Sequence, residues 1–207
     1  MKNITIIDYG CGNLLSIKRG LEKIGYNSKI SDNANDILSS THLILPGVGA
    51  FGNAMDLLKK KNLEKTLKKY AIEKKKPLLG ICLGMQLLLS RGYEFGEFNG
   101  LNFIPGDVKN INEVSKIQLK VPNIGWNNIQ INKNNKLYNH FNNLSFYFVH
   151  SYVSITENKA DTVAYCNYFD ADIPSIIQKN KIIGCQFHPE KSGENGLRFL
   201  KTFCDLI

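Results

Sequence analysis

The sequence predicts an α/β chain with a mixed sheet, and three observations carry that expectation. In the first half, short apolar runs alternate with stripes of apolar residues at helical spacing. In the second half the pattern changes to short β-rich runs broken by Asn, Asp, Gly and Pro. Between them, one apolar run passes through Gly80-Ile81-Cys82-Leu83-Gly84 directly into a helical pattern.

Ile4-Thr5-Ile6-Ile7 reads as a buried strand. Leu14, Ile17, Leu21 and Ile24 form a helical stripe that Gly25 ends. His42-Leu43-Ile44-Leu45 is a second strand, stopped by Pro46-Gly47. Residues 50–71 hold one or two helices, 77–81 a third strand, and 85–89 the start of another helix. Alternation of this kind implies a parallel sheet with helices on both faces. Further on, 146–149, 162–165, 175–178 and 182–185 read as antiparallel strands, and the asparagine-rich 132–143 as loop. Residues 195–206 close the chain as a helix with Leu197, Leu200, Phe203 and Cys204 on one face. A single domain over 1–207 is expected.

A chain of 207 residues buries enough surface to need no disulfide or metal staple. Its 43% hydrophobic and 21% charged residues exclude a disordered chain. No apolar run approaches the ~20 residues of a membrane span, and the N-terminus turns acidic at Asp8, too soon for a signal peptide. A soluble cytoplasmic protein with no membrane contact is the expectation. Cys11, Cys82, Cys166, Cys185 and Cys204 are odd in number and lack Cys-x-x-Cys spacing, which argues against a disulfide framework or a zinc site. All but Cys82 read as small buried hydrophobes. The net charge of +8 raises nucleic acid as a partner. However, only Arg19, Arg91 and Arg198 are arginine, and the lysines from Lys59-Lys60-Lys61 to Lys74-Lys75-Lys76 surround a helix with few aromatics. That is a solvated surface, not a phosphate-reading one.

Gly80-Ile81-Cys82-Leu83-Gly84 has the form of a nucleophile elbow, with cysteine at the strained turn and small neighbours beside it. The helix N-terminus that follows favours thiolate. On its own the motif also occurs as a purely structural turn. A thiolate nucleophile needs an acid–base partner. His42 and His140 read as structural or exposed, and His150 is ambiguous. His188-Pro189-Glu190 is different, because proline holds the preceding residue extended and residues 188 and 190 of an extended segment share a side. The carboxylate can then orient the imidazole and stabilise imidazolium.

These segments make the sequence similar to the class I (triad) glutamine amidotransferases, and among them to the glutaminase-subunit family of imidazole glycerol phosphate synthases. The resemblance rests also on Asp8-Tyr9-Gly10-Cys11-Gly12-Asn13, Leu45-Pro46-Gly47-Val48-Gly49-Ala50-Phe51-Gly52, Met85-Gln86, Val121-Pro122 with Ile124-Gly125-Trp126-Asn127, Phe148-Val149-His150-Ser151-Tyr152, and Lys191-Ser192-Gly193. Asn123 stands where this subfamily usually carries histidine. The resemblance implies a three-layer fold around a central mixed, mostly parallel sheet. It implies a Cys82, His188, Glu190 triad, with backbone N–H groups of Val48 and Leu83 as the oxyanion hole. It assigns Gly49, Gln86, Glu94, Ser151 and Tyr152 to binding of L-glutamine, and needs no cofactor or metal. The implied partner is a (β/α)₈ cyclase subunit that receives ammonia in a heterodimer, and Asn13, Trp126 and Lys191 are candidates for the facing surface. A paralogue that supplies ammonia to a surface-sugar pathway, or an independent cysteine hydrolase, would carry the same elbow.

Overall fold

The computed structural model describes residues 2–132 and 135–206. One sheet orders its nine strands as Ser28–Ser31, Ile4–Ile7, His42–Leu45, Leu78–Ile81, Ile182–Cys185, Ala171–Lys179, Thr162–Tyr168, Asn123–Ile131 and Ser145–His150. The first five are mutually parallel and the remaining neighbours pair antiparallel. The sheet is mixed as expected, with four parallel ladders and four antiparallel ones. Connection length is the reason. Thr162–Tyr168, Ala171–Lys179 and Ile182–Cys185 are separated only by the pairs 169–170 and 180–181, and so short a link permits only a hairpin. Phe169 and Asn180 take the left-handed conformation these tight turns require, with φ of 56° at each. Ile182–Cys185 thus joins both regimes, antiparallel on one side and parallel to Leu78–Ile81 on the other.

The two-residue period of the strands divides the core between the sheet's faces. Ile4, Ile6, Ile44, Leu79 and Ile81 pack with Ile17 and Leu21 of helix Leu14–Lys23 and with Phe199, Leu200 and Phe203 of helix Gly193–Cys204. Ile7, Leu43, Leu45 and Leu78 face the other way, toward Ile37 of Ala34–Ser39, Leu58 of Phe51–Lys60 and Leu67 of Leu63–Lys68. The outcome is the expected three layers. Residues 50–71 form two helices because Asn62, at φ 54°, interrupts them.

Sequence patterning did not single out strand Ser28–Ser31, helix Ala34–Ser39, strand Asn123–Ile131 or a second sheet. That sheet comprises Tyr152–Thr156, Gly106–Asn110, Arg91–Gly92 and Phe98–Asn99. These elements are short, or mix polar residues on both faces. Within the expected loop 132–143, residues 133 and 134 lie outside the described residues, and a 3-10 turn, Asn139–Phe141, buries Phe141. No helix is long and apolar enough to cross a membrane among the described residues. The cysteines are all free. Cys166, Cys185 and Cys204 are buried as expected, whereas Cys11 is only half-buried.

Candidate active site

Strand Leu78–Ile81 ends at Cys82, which takes φ 53° and ψ −110°, and helix Leu83–Leu87 begins at the next residue. A non-glycine residue in that region is strained and persists only where its surroundings enforce it. The flanking glycines make this possible. A Cβ on Gly80 would lie 2.5 Å from the Gly84 carbonyl oxygen, and one on Gly84 would collide with the Leu45 carbonyl. The following helix has only five residues, so its free first-turn N–H groups matter more than its dipole.

The 46–49 loop lies against the elbow. Tyr9 Oη donates to the Pro46 carbonyl at 2.8 Å. A Cβ on Gly47 would come within 2.7 Å of that hydroxyl and 2.8 Å of Gly84 N. Gly49 has φ 101°, a conformation open to glycine. The Asp8-Tyr9-Gly10 segment thus tethers the loop that brings the Val48 backbone to the pocket.

His188 is buried, with Nδ1 2.8 Å from Glu190 Oε1. The pair forms as expected but by a different geometry. His188 is extended, whereas Pro189–Lys191 is a 3-10 turn that folds the carboxylate back under the ring. The tightening at proline, not strand alternation, makes the contact. Nε2 of His188 and Oε2 of Glu190 are buried without a hydrogen-bond partner among the described residues. The interaction of His188 with Cys82 is therefore one of proximity, not a formed hydrogen bond. Burial favours the neutral imidazole, but the neighbouring Cys82 and Glu190 outweigh it and raise the His188 pKa to about 10.

Cys82, Leu83, Val48, Gly49, Gln86, Glu94, Ser151, Tyr152 and His188 line one cavity of about 490 Å³. Ala50, Phe95, Pro122, Val149 and His150 complete its wall. Every pocket residue expected from the sequence is therefore brought together, with Glu190 behind His188. Glu94 also accepts the Phe51 N–H at 2.8 Å, satisfying the first turn of helix Phe51–Lys60. The Ser151 carbonyl accepts the Ile111 N–H. The Tyr152 carbonyl accepts from both Gln86 Nε2 and His150 Nδ1. These carbonyls are thus already partnered within the protein.

The sequence left the polar residues behind the pocket without a role: His150 was ambiguous, and Asn123 was marked only as a departure from the subfamily. His150 is buried, and that burial lowers its pKa to about 4. Its Nε2 is 3.2 Å from Asn123 Nδ2, and Asn127 Nδ2 donates to Asn123 Oδ1 at 3.2 Å. Asn123 is therefore one hydrogen bond from the pocket wall. Gln186, fully buried, was also missed. It follows the end of strand Ile182–Cys185 directly, and no motif or charge marks it. Among the candidates for a partner surface, Trp126 is 57% exposed and packs edge-on to Tyr147, with Lys191 Nζ 5.9 Å from the Tyr147 ring centre. Asn13 is exposed on its own at the start of helix Leu14–Lys23. No cluster of metal-ligating side chains occurs among the described residues.

A strained cysteine facing a carboxylate-held histidine, on an α/β sheet, defines a thiol-dependent enzyme of acyl-transfer type. The family model described as glutamine amidotransferase class-I matches residues 5–206. The imidazole glycerol phosphate synthase subunit HisH of Caldanaerobacter subterraneus is 43% identical, with 99% of this chain and 98% of that one aligned. Its counterpart from Methanosarcina barkeri is 45% identical over the full length of both. The chloroplastic imidazole glycerol phosphate synthase hisHF of Arabidopsis thaliana is 44% identical over 97% of this chain, which matches 33% of that longer protein. A crystal structure of a glutamine amidotransferase shares the fold with a TM-score of 0.74 at 17% identity, covering 98% of this chain and 99% of that one. The structure of PurLQS from Thermotoga maritima does so at 0.73 and 16%, covering 98% and 97%. The chain belongs to the class-I glutamine amidotransferase family, in the branch of the imidazole glycerol phosphate synthase HisH subunits.

Proposed function

We propose that this chain is the glutaminase subunit of an imidazole glycerol phosphate synthase, a single domain over 1–207 acting in the cytoplasm. The Cys82 thiolate attacks the side-chain amide carbon of L-glutamine. The tetrahedral oxyanion is received by the backbone N–H groups of Leu83 and Val48. Imidazolium at His188 gives its proton to the departing nitrogen, and ammonia leaves from a γ-glutamyl thioester. His188, now neutral, takes a proton from water, whose hydroxyl attacks the thioester, and glutamate is released with the thiolate restored. Glu190 holds the ring and its charge throughout. Gly49, Gln86, Glu94, Ser151 and Tyr152 form the walls against which glutamine is oriented.

The observation that carries this reading is the strained Cys82 in one cavity with His188, itself fixed by Glu190. The subunit names and full-length match of the HisH relatives support a partner that consumes the ammonia. That partner is a (β/α)₈ cyclase docked over Trp126 and Lys191, with Asn13 also facing it, and it makes imidazole glycerol phosphate for histidine biosynthesis. The test is Cys82→Ala in the complex. Glutamate release should vanish while synthesis from added ammonium salt persists. Undiminished glutamine hydrolysis by this variant would reject the proposal.

A further inference from the structure

We propose that Gln186 is a thiolate-binding residue, whose side-chain N–H holds the ionised sulfur of Cys82. Gln186 is fully buried, and its Nε2 lies 3.7 Å from Cys82 Sγ. The identity of that atom follows from a chain of directional bonds. The Tyr152 carbonyl can only accept, so the Gln86 atom 3.1 Å from it is the amide nitrogen. The same nitrogen lies 3.2 Å from Gln186, which must therefore present its oxygen there. The remaining terminal atom of Gln186, the one facing sulfur, is the N–H donor. A main-chain carbonyl thus fixes both amide flips.

The sulfur has a different partner for each ionisation state. As a thiol it can donate to the Val149 carbonyl at 3.8 Å. As a thiolate it repels that carbonyl and accepts from Gln186, which is fully buried behind the cavity lining. Hydrogen bonds to a charged acceptor are about twice as strong as neutral ones, and the site is buried. Other titratable groups around the sulfur are His188 with Glu190 behind it, His150, Tyr9 and Cys185. Substituting Gln186 removes none of these groups.

This inference rests on Cys82 being the nucleophile, and the experiment separates the two claims. Alkylation of Cys82 by iodoacetamide is followed by peptide mass across pH, well below the melting temperature, in wild type, Gln186→Leu and Gln186→Met. Both variants lose the donor at similar volume, and one suffices if the other does not fold. The alkylation profile is expected to move about one pH unit upward, a roughly tenfold lower rate on its acidic limb, as loss of one charge-assisted hydrogen bond implies. Lower melting temperatures with an unmoved profile would make Gln186 a packing residue and overturn the proposal. Separately, wild type alkylated on Cys82 that still hydrolyses glutamine would overturn the nucleophile assignment beneath it.

Discussion

Two opposing effects meet at His188. Burial disfavours its charge, while Cys82 and Glu190 stabilise it and prevail, so the imidazolium persists through neutral pH. Because the folded pKa is raised, this pairing contributes stability that is fully present below the ordinary value of 6.5 and is lost as pH rises through about 10. Glu190→Gln should lower the His188 midpoint in an NMR titration. Its melting deficit against wild type should be largest below pH 6.5 and close toward pH 10. An unchanged midpoint would remove Glu190 from the electrostatics. Turnover provides a second reading of the same pair. Loss of the carboxylate in a serine triad costs about 10⁴-fold; a cysteine depends less on its base, so Glu190→Gln should lose less than that. His188→Ala should lose more than Glu190→Gln, having no proton donor for ammonia, and the reverse order would refute the roles. Cys82, His188 and Glu190 were legible in sequence because motif and charge mark them. The roles of Gln186 and Asn123 were not, since a buried neutral amide acts only through partners distant in the chain.

The elbow is an element whose geometry was readable before its structure. Glycines at 80 and 84 mark a backbone crossing too close for any side chain, and Gly84 faces the Leu45 carbonyl. Gly84→Ala should therefore lower stability by at least the upper end of the ~1–3 kcal/mol typical of overpacking. Gly25 has φ 84° with nothing within 4 Å of an added Cβ, so Gly25→Ala should cost only the roughly 1–2 kcal/mol of its backbone conformation. Denaturant melts of both variants check the order, and a milder effect at Gly84 would contradict the packing argument. The buried strands Ile4–Ile7, His42–Leu45 and Leu78–Ile81 were legible because they are short, apolar and bounded by turn residues. Ser28–Ser31 was not, because an edge strand with half-exposed polar residues has no apolar run to read. Neither was the His188–Glu190 turn, because proline permits both an extended and a 3-10 continuation.

For the whole molecule, large apolar side chains lie exposed in the pocket wall, at Val48 and Phe95, and on strand Asn123–Ile131, at Ile124 and Trp126. Trp126→Ala should leave the isolated chain's stability within about 0.5 kcal/mol, as surface changes do, yet weaken binding of the proposed cyclase partner measurably by calorimetric titration. Unaltered binding would place the partner elsewhere. The isolated chain should be a poor glutaminase, raised by orders of magnitude when the proposed partner docks and completes the oxyanion hole at the Val48 N–H. One thiol, Cys82, is proposed to perform the chemistry, and covalent trapping can show it. The complex is treated with 6-diazo-5-oxo-L-norleucine, a glutamine analogue that alkylates nucleophiles, and its peptides are mapped by mass. A single adduct is expected, on Cys82, suppressed by excess L-glutamine and accompanied by complete loss of glutamine hydrolysis. An adduct confined to another residue, or full activity with Cys82 modified, would contradict it.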